Sequence, residues 1–188
     1  MREVLTLGQE GKNDAWNIRL ASVDAFQSIR AFYHKLIDEM QVLEFKPGWE
    51  KGVYPSDDYL MEALKEGTLW VCNSRQGYVG AMIVNHKSNE GYRQVKWSVD
   101  AGAHEITVIH ALGVMPSLQG KGIAKGMVRK VLEDARSEGQ KAVRLDVLGG
   151  NLPAERLYLK CGFQYMDTVS MFYEDTGWTD FKLYEYIC

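Results

Sequence analysis

Apolar residues fall at Ala25, Phe26, Ile29, Phe32, Tyr33, Leu36, Ile37 and Met40, a helical spacing that predicts one amphipathic helix over 24–40. Pro47-Gly48 breaks the chain. Ser56 followed by Asp57 and Asp58 reads as an N-cap with acids in the first turn, and the helix it opens runs to Glu66 and stops at Gly67. The period then changes. Residues 68–73 and 78–86 read as a hairpin turning at Ser74–Gly77, and 16–21 as a short earlier strand. Residues 87–103 are polar with some aromatics, a loop with one strand near Val95–Val99. Residues 105–114 (EITVIHALGV) form an apolar, β-branched run expected of a central strand buried on both faces. Helical period returns over 123–138, with Ile123, Met127, Val131, Leu132 and Ala135 facing inward and Gly139 past the end. A strand at 142–148, a turn at Gly149-Gly150-Asn151, a short helix ending near Cys161-Gly162, and strands at 163–173 and 180–187 complete the pattern. Asn151 is placed to cap that short helix and Pro153 to lie in its first turn.

Strands and helices mixed in this order imply an α/β or α+β sheet with helices on its faces. The unit 105–114, 123–138, 142–148 is a βαβ crossover, expected to pair parallel with a right-handed connection. No repeat or Pro/Ser-rich linker divides the 188 residues, so one domain spanning 1–188 is expected. With 22 Lys and Arg against 25 Asp and Glu, the net charge of −3 argues against bulk attraction to nucleic acid or an anionic membrane. No secretory leader and no membrane-spanning run are read in the sequence. Cys72, Cys161 and Cys188 are odd in number and widely spaced, which suggests reduced thiols and a cytoplasmic location.

The chemistry concentrates in Pro116–Gly126, between the buried strand and the next helix. Gly120, Gly122 and Gly126 let backbone N–H groups converge there, at a helix N-terminus suited to an anion. Residues 106–132 contain no Asp or Glu, where the average composition would place about four. The first turns carry Lys121, Lys125, Arg129 and Lys130, and the acids Glu133, Asp134 and Glu138 come later. That order opposes the helix dipole, and a bound polyanion explains it. The P-loop pattern fails because Gly122 follows Lys121 where Ser or Thr is needed, and the dinucleotide fingerprint fails because Lys125 occupies the third glycine position.

Gln119-Gly-Lys-Gly122-Ile-Ala124 resembles the Q/R-x-x-G-x-G/A signature of the GNAT superfamily of acyl-CoA-dependent N-acetyltransferases. LGVMP (112–116) before it and RLDV (144–147) after it strengthen the likeness. Asn151–Phe163 resembles the second motif of the family, N-x-x-A-x-x-L-Y-x-K-x-G-F. The likeness covers about 68–175 well, and 1–67 only loosely, as an acceptor-side region that varies. It implies a mixed, mostly antiparallel sheet with a central parallel βαβ crossover and helices on both faces. It also implies acetyl-CoA as co-substrate. The pyrophosphate would be held by Gln119, Gly120, Lys121, Gly122, Ile123, Ala124 and Lys125, and pantetheine by Leu112, Gly113 and Val114. Asn151 and Ala154 would touch the cofactor, Asn151 being equally well read as a plain cap. Tyr158 matches the tyrosine that protonates the departing thiolate in this family.

The general base is less legible. Glu105 is the only acid near the central strand. His110 titrates in a useful range and, by simple alternation, shares a face with Val108 and Leu112 unless a bulge intervenes. A water chain is the third choice. Trp49, Tyr54 and Trp97 are candidates for the acceptor pocket, and equally for plain burial. The histidines and cysteines show no metal-ligand spacing. The expected activity is acetyl transfer to the amine of a small molecule or to an exposed amino group, with a homodimer left open. The alternatives are a non-catalytic acyl-CoA-binding or sensing module and, further off, a nucleotide hydrolase.

Overall fold

In the computed structural model, which describes residues 5–7, 16–75 and 77–188, the apolar stripe of 24–40 becomes helix α1 (Phe26–Met40), burying Ile29, Phe32, Tyr33, Leu36, Ile37 and Met40. Helix α2 (Asp57–Lys65) is capped as its sequence indicates, Ser56 accepting from Tyr59 N–H at 3.2 Å. Both helices pack on one face of a sheet, meeting Leu69, Val71, Ala81 and Ile83. Alternate residues of the same strands, Trp70, Cys72 and Met82, point to the opposite face, against helices α3 (Ile123–Ser137) and α4 (Leu152–Lys160). The period-2 alternation of these strands thus divides the apolar residues between two helical layers.

The sheet has eight strands among the described residues: β1 (Leu5–Leu7), β2 (Trp16–Leu20), β3 (Leu69–Ser74), β4 (Gly77–Asn85), β5 (Ile106–Val114), β6 (Ala142–Leu148), β7 (Gln164–Tyr173) and β8 (Gly177–Ile187). Their order is β1-β2-β3-β4-β5-β6-β8-β7, and every pair is antiparallel except β5 and β6. α3 supplies the crossover between those two. β1, on the sheet edge, has no counterpart in the sequence reading.

The expected strand at Val95–Val99 does not form. After a short 3-10 turn at Glu90–Gln94, these residues run irregularly and are held by side chains. Arg144 donates to Val99 O at 2.7 Å and stacks under Trp97, and Ser98 N–H donates to the Glu185 carboxylate at 2.9 Å. Backbone groups satisfied by buried charges leave no ladder for a strand.

Candidate active site

The site begins with a break in β5. His110 pairs with Ile83 of β4, but the next pair is Gly113 with Ala81, so two residues of β5 face one of β4. Ala111 takes up the extra length with φ of +49°, in the left-handed region that a Cβ disfavours. The Tyr33 hydroxyl on α1 donates to Ala111 O at 2.9 Å and pins this conformation. The bulge flips the parity of the strand. Ile109 packs on the α3 side before it and Leu112 and Val114 on that side after it, whereas Ala111 joins the α1 side. His110 therefore shares a face with Val108 but not with Leu112, correcting the alternation expected for an unbroken strand.

The bulge coincides with a parting of the sheet. β5 and β6 pair only at Ile106–Ala142, Thr107–Val143 and Val108–Arg144. Beyond them the strands diverge, and the gap opens into two joined cavities. The outer one, about 520 Å³, runs from Leu112, Gly113 and Val114 past Gln119, Gly120, Gly122, Ile123, Ala124 and Lys125 to Asn151, Ala154 and Tyr158. Gly120 and Gly122 adopt φ of +79° and +82°, the turn that swings the loop into α3. Gly126 N–H is the first in α3 to take a carbonyl of the helix entry, that of Gly122, so the N–H groups of the first turn are left to face the cleft. Lys125 lines this cavity, joined by Arg156 and Lys160 of α4, which the sequence reading did not single out. Lys121 is not among its lining residues. Lys130 is not available either, being buried against Asp134 and the ring of Trp70. Gly113 sits where a Cβ would lie 2.4 Å from Leu36 and 3.2 Å from Trp49, so glycine lets α1 and the indole close on this wall.

The inner cavity, about 100 Å³, brings together Trp49, Tyr54, His110, Asp146, Tyr158 and Tyr173. Asp146 was part of the quoted RLDV segment but had no role assigned from sequence. It lies on the β6 face opposite Leu145 and Val147, and its Oδ1 accepts from Tyr92 at 2.7 Å and Tyr173 at 3.2 Å. Burial raises its carboxyl above the usual range, the two phenols offsetting only part of that. An aspartate among apolar neighbours in a central strand was the available signal, since an acid is seldom spent there without a partner or a task.

His110 donates through Nε2, whose two neighbours, Asn85 Oδ1 at 3.0 Å and Lys87 O at 2.9 Å, are both acceptors. That fixes the proton on Nε2 and leaves Nδ1 as the bare nitrogen. Burial pushes the ring down to about 4, so it stays neutral near pH 7. Tyr158 lines both cavities at their junction, and burial and the nearby Asp146 charge raise its phenol so that it remains protonated. Asn151 caps α4, accepting from Ala154 N–H at a long 3.4 Å, and also lines both cavities.

Two of the sequence candidates lie elsewhere. Glu105, just before β5 and at the end away from the bulge, is half-buried, pairs with Lys141 at 2.7 Å and accepts from Gly102 N–H. Trp97 is spent on Arg144 and on a bond from its indole N–H to Tyr92 O. Among the described residues no three His, Cys, Asp or Glu side chains cluster as a metal site. The cysteines are unpaired, and among the described residues no helix is long and apolar enough to cross a membrane.

Residues 30–163 match the model of the acetyltransferase (GNAT) family. The chain belongs to that family. N-acetyltransferase 8B of Rattus norvegicus is 35% identical over 95 residues, half of this chain and 38% of that protein. Mycothiol acetyltransferase of Saccharomonospora viridis is 34% identical over 67 residues, 36% of this chain and 22% of that one. The matched stretches thus span well under half the length of these relatives. Among solved structures, a GNAT-family acetyltransferase of Streptococcus agalactiae superposes with TM-score 0.75 at 19% identity, covering 92% of this chain and 95% of that one. Arabidopsis thaliana NAA60, solved with acetyl-CoA, superposes with TM-score 0.66 at 16% identity over 92% and 98% of the two chains. At these identities the likeness establishes the GNAT fold.

Proposed function

We propose that this chain is an acetyl-CoA-dependent N-acetyltransferase, one domain from end to end, that moves the acetyl group directly to an amine. The observation that carries the reading is the parted β5–β6 edge, which joins an anion-suited helix N-terminus to an inner cavity holding a phenol and a carboxylate. The residues fit the co-substrate. The N–H groups at the start of α3 together with Lys125, Arg156 and Lys160 suit its pyrophosphate. Beyond Val108 the side of β5 facing the gap is left without its β6 partner, as an extended pantetheine amide chain would require. When bound, acetyl-CoA supplies a thioester carbonyl open to attack.

The chain's own groups then divide the work. Asp146, made more basic by burial and with Oδ2 uninvolved in the two phenol bonds, takes the proton that an ammonium must lose before it attacks. Tyr92 and Tyr173 hold that carboxylate in place. Tyr158 donates a hydrogen bond to the sulfur as it gains negative charge. This assigns the base to Asp146 in preference to Glu105, which sits at the far end of β5, and to His110, a weak base at about 4. A binding or sensing module would need the cofactor cleft but not Asp146 and Tyr158 at its inner end.

Thermal unfolding with ligand tests the proposal. Acetyl-CoA at 100 times its dissociation constant adds about 2.7 kcal/mol if it binds only the native state. ATP at the same concentration should add much less. Equal stabilisation by both, or none by acetyl-CoA, refutes it.

A further inference from the structure

The inner cavity has a charge pattern that selects among amines. Among the described residues no Lys or Arg lines it. Its histidine is neutral and points its only N–H away, to Asn85 and Lys87. A carboxylate brought in beside the reacting amine would meet no cation and would lie against Asp146. The groups that are present favour cations: two carboxylates, Asp146 and Asp175, and the rings of Trp49, Tyr54 and Tyr173.

Asp175 sits at the turn between β7 and β8; partial burial raises its carboxyl, the backbone N–H groups of Asp175 and Thr176 offset part of that, and Glu50 and Glu174 raise it a little further. None of the three takes part in an ion pair among the described residues. Next to Asp175, the Thr176 hydroxyl is closed off from solvent and has no hydrogen-bond partner. The same turn touches the α1–α2 connection: a Cβ on Gly48 would lie 2.7 Å from the Thr176 methyl. Pro47 and Trp49 of that connection line the same cavity as Asp175 and Thr176 of the turn.

Resting on the acetyltransferase reading above, we propose that the acceptor is a short diamine without a carboxylate, its reacting amine at Asp146 and its second ammonium at Asp175. Two carboxylates lining one small cavity that no Lys or Arg lines favour a ligand that brings positive charge. A dication cancels both, whereas a monoamine cancels one and an amino acid adds a third negative charge.

The test uses the full chain with saturating acetyl-CoA and follows thiol release with matched acceptors. These are lysine against 1,5-diaminopentane, ornithine against 1,4-diaminobutane, 1-aminobutane as the monoamine, and a tripeptide amide. Each diamine is expected to exceed its parent amino acid by at least about tenfold in kcat/KM, since one tenfold step is a modest electrostatic difference for a buried charge. Asp175→Asn is expected to narrow the ratio of diamine to monoamine by about tenfold. Amino acids used as well as diamines, a tripeptide preferred to both diamines, no turnover of either diamine, or an unchanged ratio in Asp175→Asn each overturn the proposal. Calorimetry of acetyl-CoA binding on the same preparation separates the two levels. Binding without diamine turnover defeats only the acceptor assignment, whereas no binding defeats the acetyltransferase reading as well.

Discussion

Replacing Asp146 by Asn removes a charge and little else. The amide oxygen can accept from Tyr92 and Tyr173 as Oδ1 does, at 2.7 and 3.2 Å, so the cavity keeps its shape. What is lost is the ability to take a proton. General-base contributions of about 10²–10⁴-fold correspond to about 2.7–5.4 kcal/mol of barrier, and kcat/KM near pH 7 is expected to fall within that range. The pH profile carries more information. In the wild-type chain activity should rise with pH as Asp146 ionises, at a pKa above the ordinary carboxylate range because of burial. In Asp146→Asn that limb disappears, and the rate instead climbs steadily towards the pKa of the free amine, so the deficit shrinks at high pH. Stability should move the other way. A carboxyl whose folded pKa is raised contributes fully below its unfolded value, about 3.9, and that contribution is lost as pH rises through the folded value. At pH 7–8 the Asn variant should therefore match or exceed the wild-type Tm. Single-turnover thiol release from pH 5.5 to 9.5, paired with calorimetric unfolding, measures both quantities. A folded variant within threefold of wild type at pH 7, or one with the acidic limb intact, refutes the role given to Asp146.

Tyr158→Phe keeps the ring and removes the hydroxyl at the junction of the cavities; single-turnover rates should drop about 10–100-fold, the low end for a proton donor because a thiolate leaves readily, with acetyl-CoA affinity nearly intact. Gly122→Val meets no atom within 4 Å but forces a β-branched residue to φ of +82°, so titration calorimetry should show a larger loss of acetyl-CoA affinity than for Lys121→Ala. Gly113→Ala drives a methyl to 2.4 Å from Leu36, and denaturant unfolding should register a cost of about 1–3 kcal/mol. His110 is depressed to about 4 from a reference near 6.5, so its contribution to stability is complete above about pH 6.5 and is lost as pH falls through about 4; His110→Gln should flatten the acid side of the stability curve measured between pH 3.5 and 7.

Local rules carried much of this fold. The helical stripe of 24–40, the Ser56 cap, the β-branched run at 105–114 and the glycine loop before 123 are each written within one turn or one strand. The interactions that fix them are between near neighbours in sequence. The single motif at Asn151–Phe163 likewise set Asn151 at the cap and Tyr158 within the short helix α4, because spacing within one helix is itself a local quantity. The bulge at Ala111 was not legible, since alanine carries no preference for a positive φ. It is held by the Tyr33 hydroxyl 78 positions away, and it is this bulge that takes Leu112 off the face of His110. The failed strand at Val95–Val99 has the same cause, its backbone being satisfied by Arg144 and Glu185 from strands far along the chain. Asp146 looked like one more strand residue until β7 and the 90–94 turn brought Tyr173 and Tyr92 to it. Type and order of elements follow from short-range chemistry, whereas the pKa of a carboxylate and the parting of two strands depend on groups that meet only after the chain has folded.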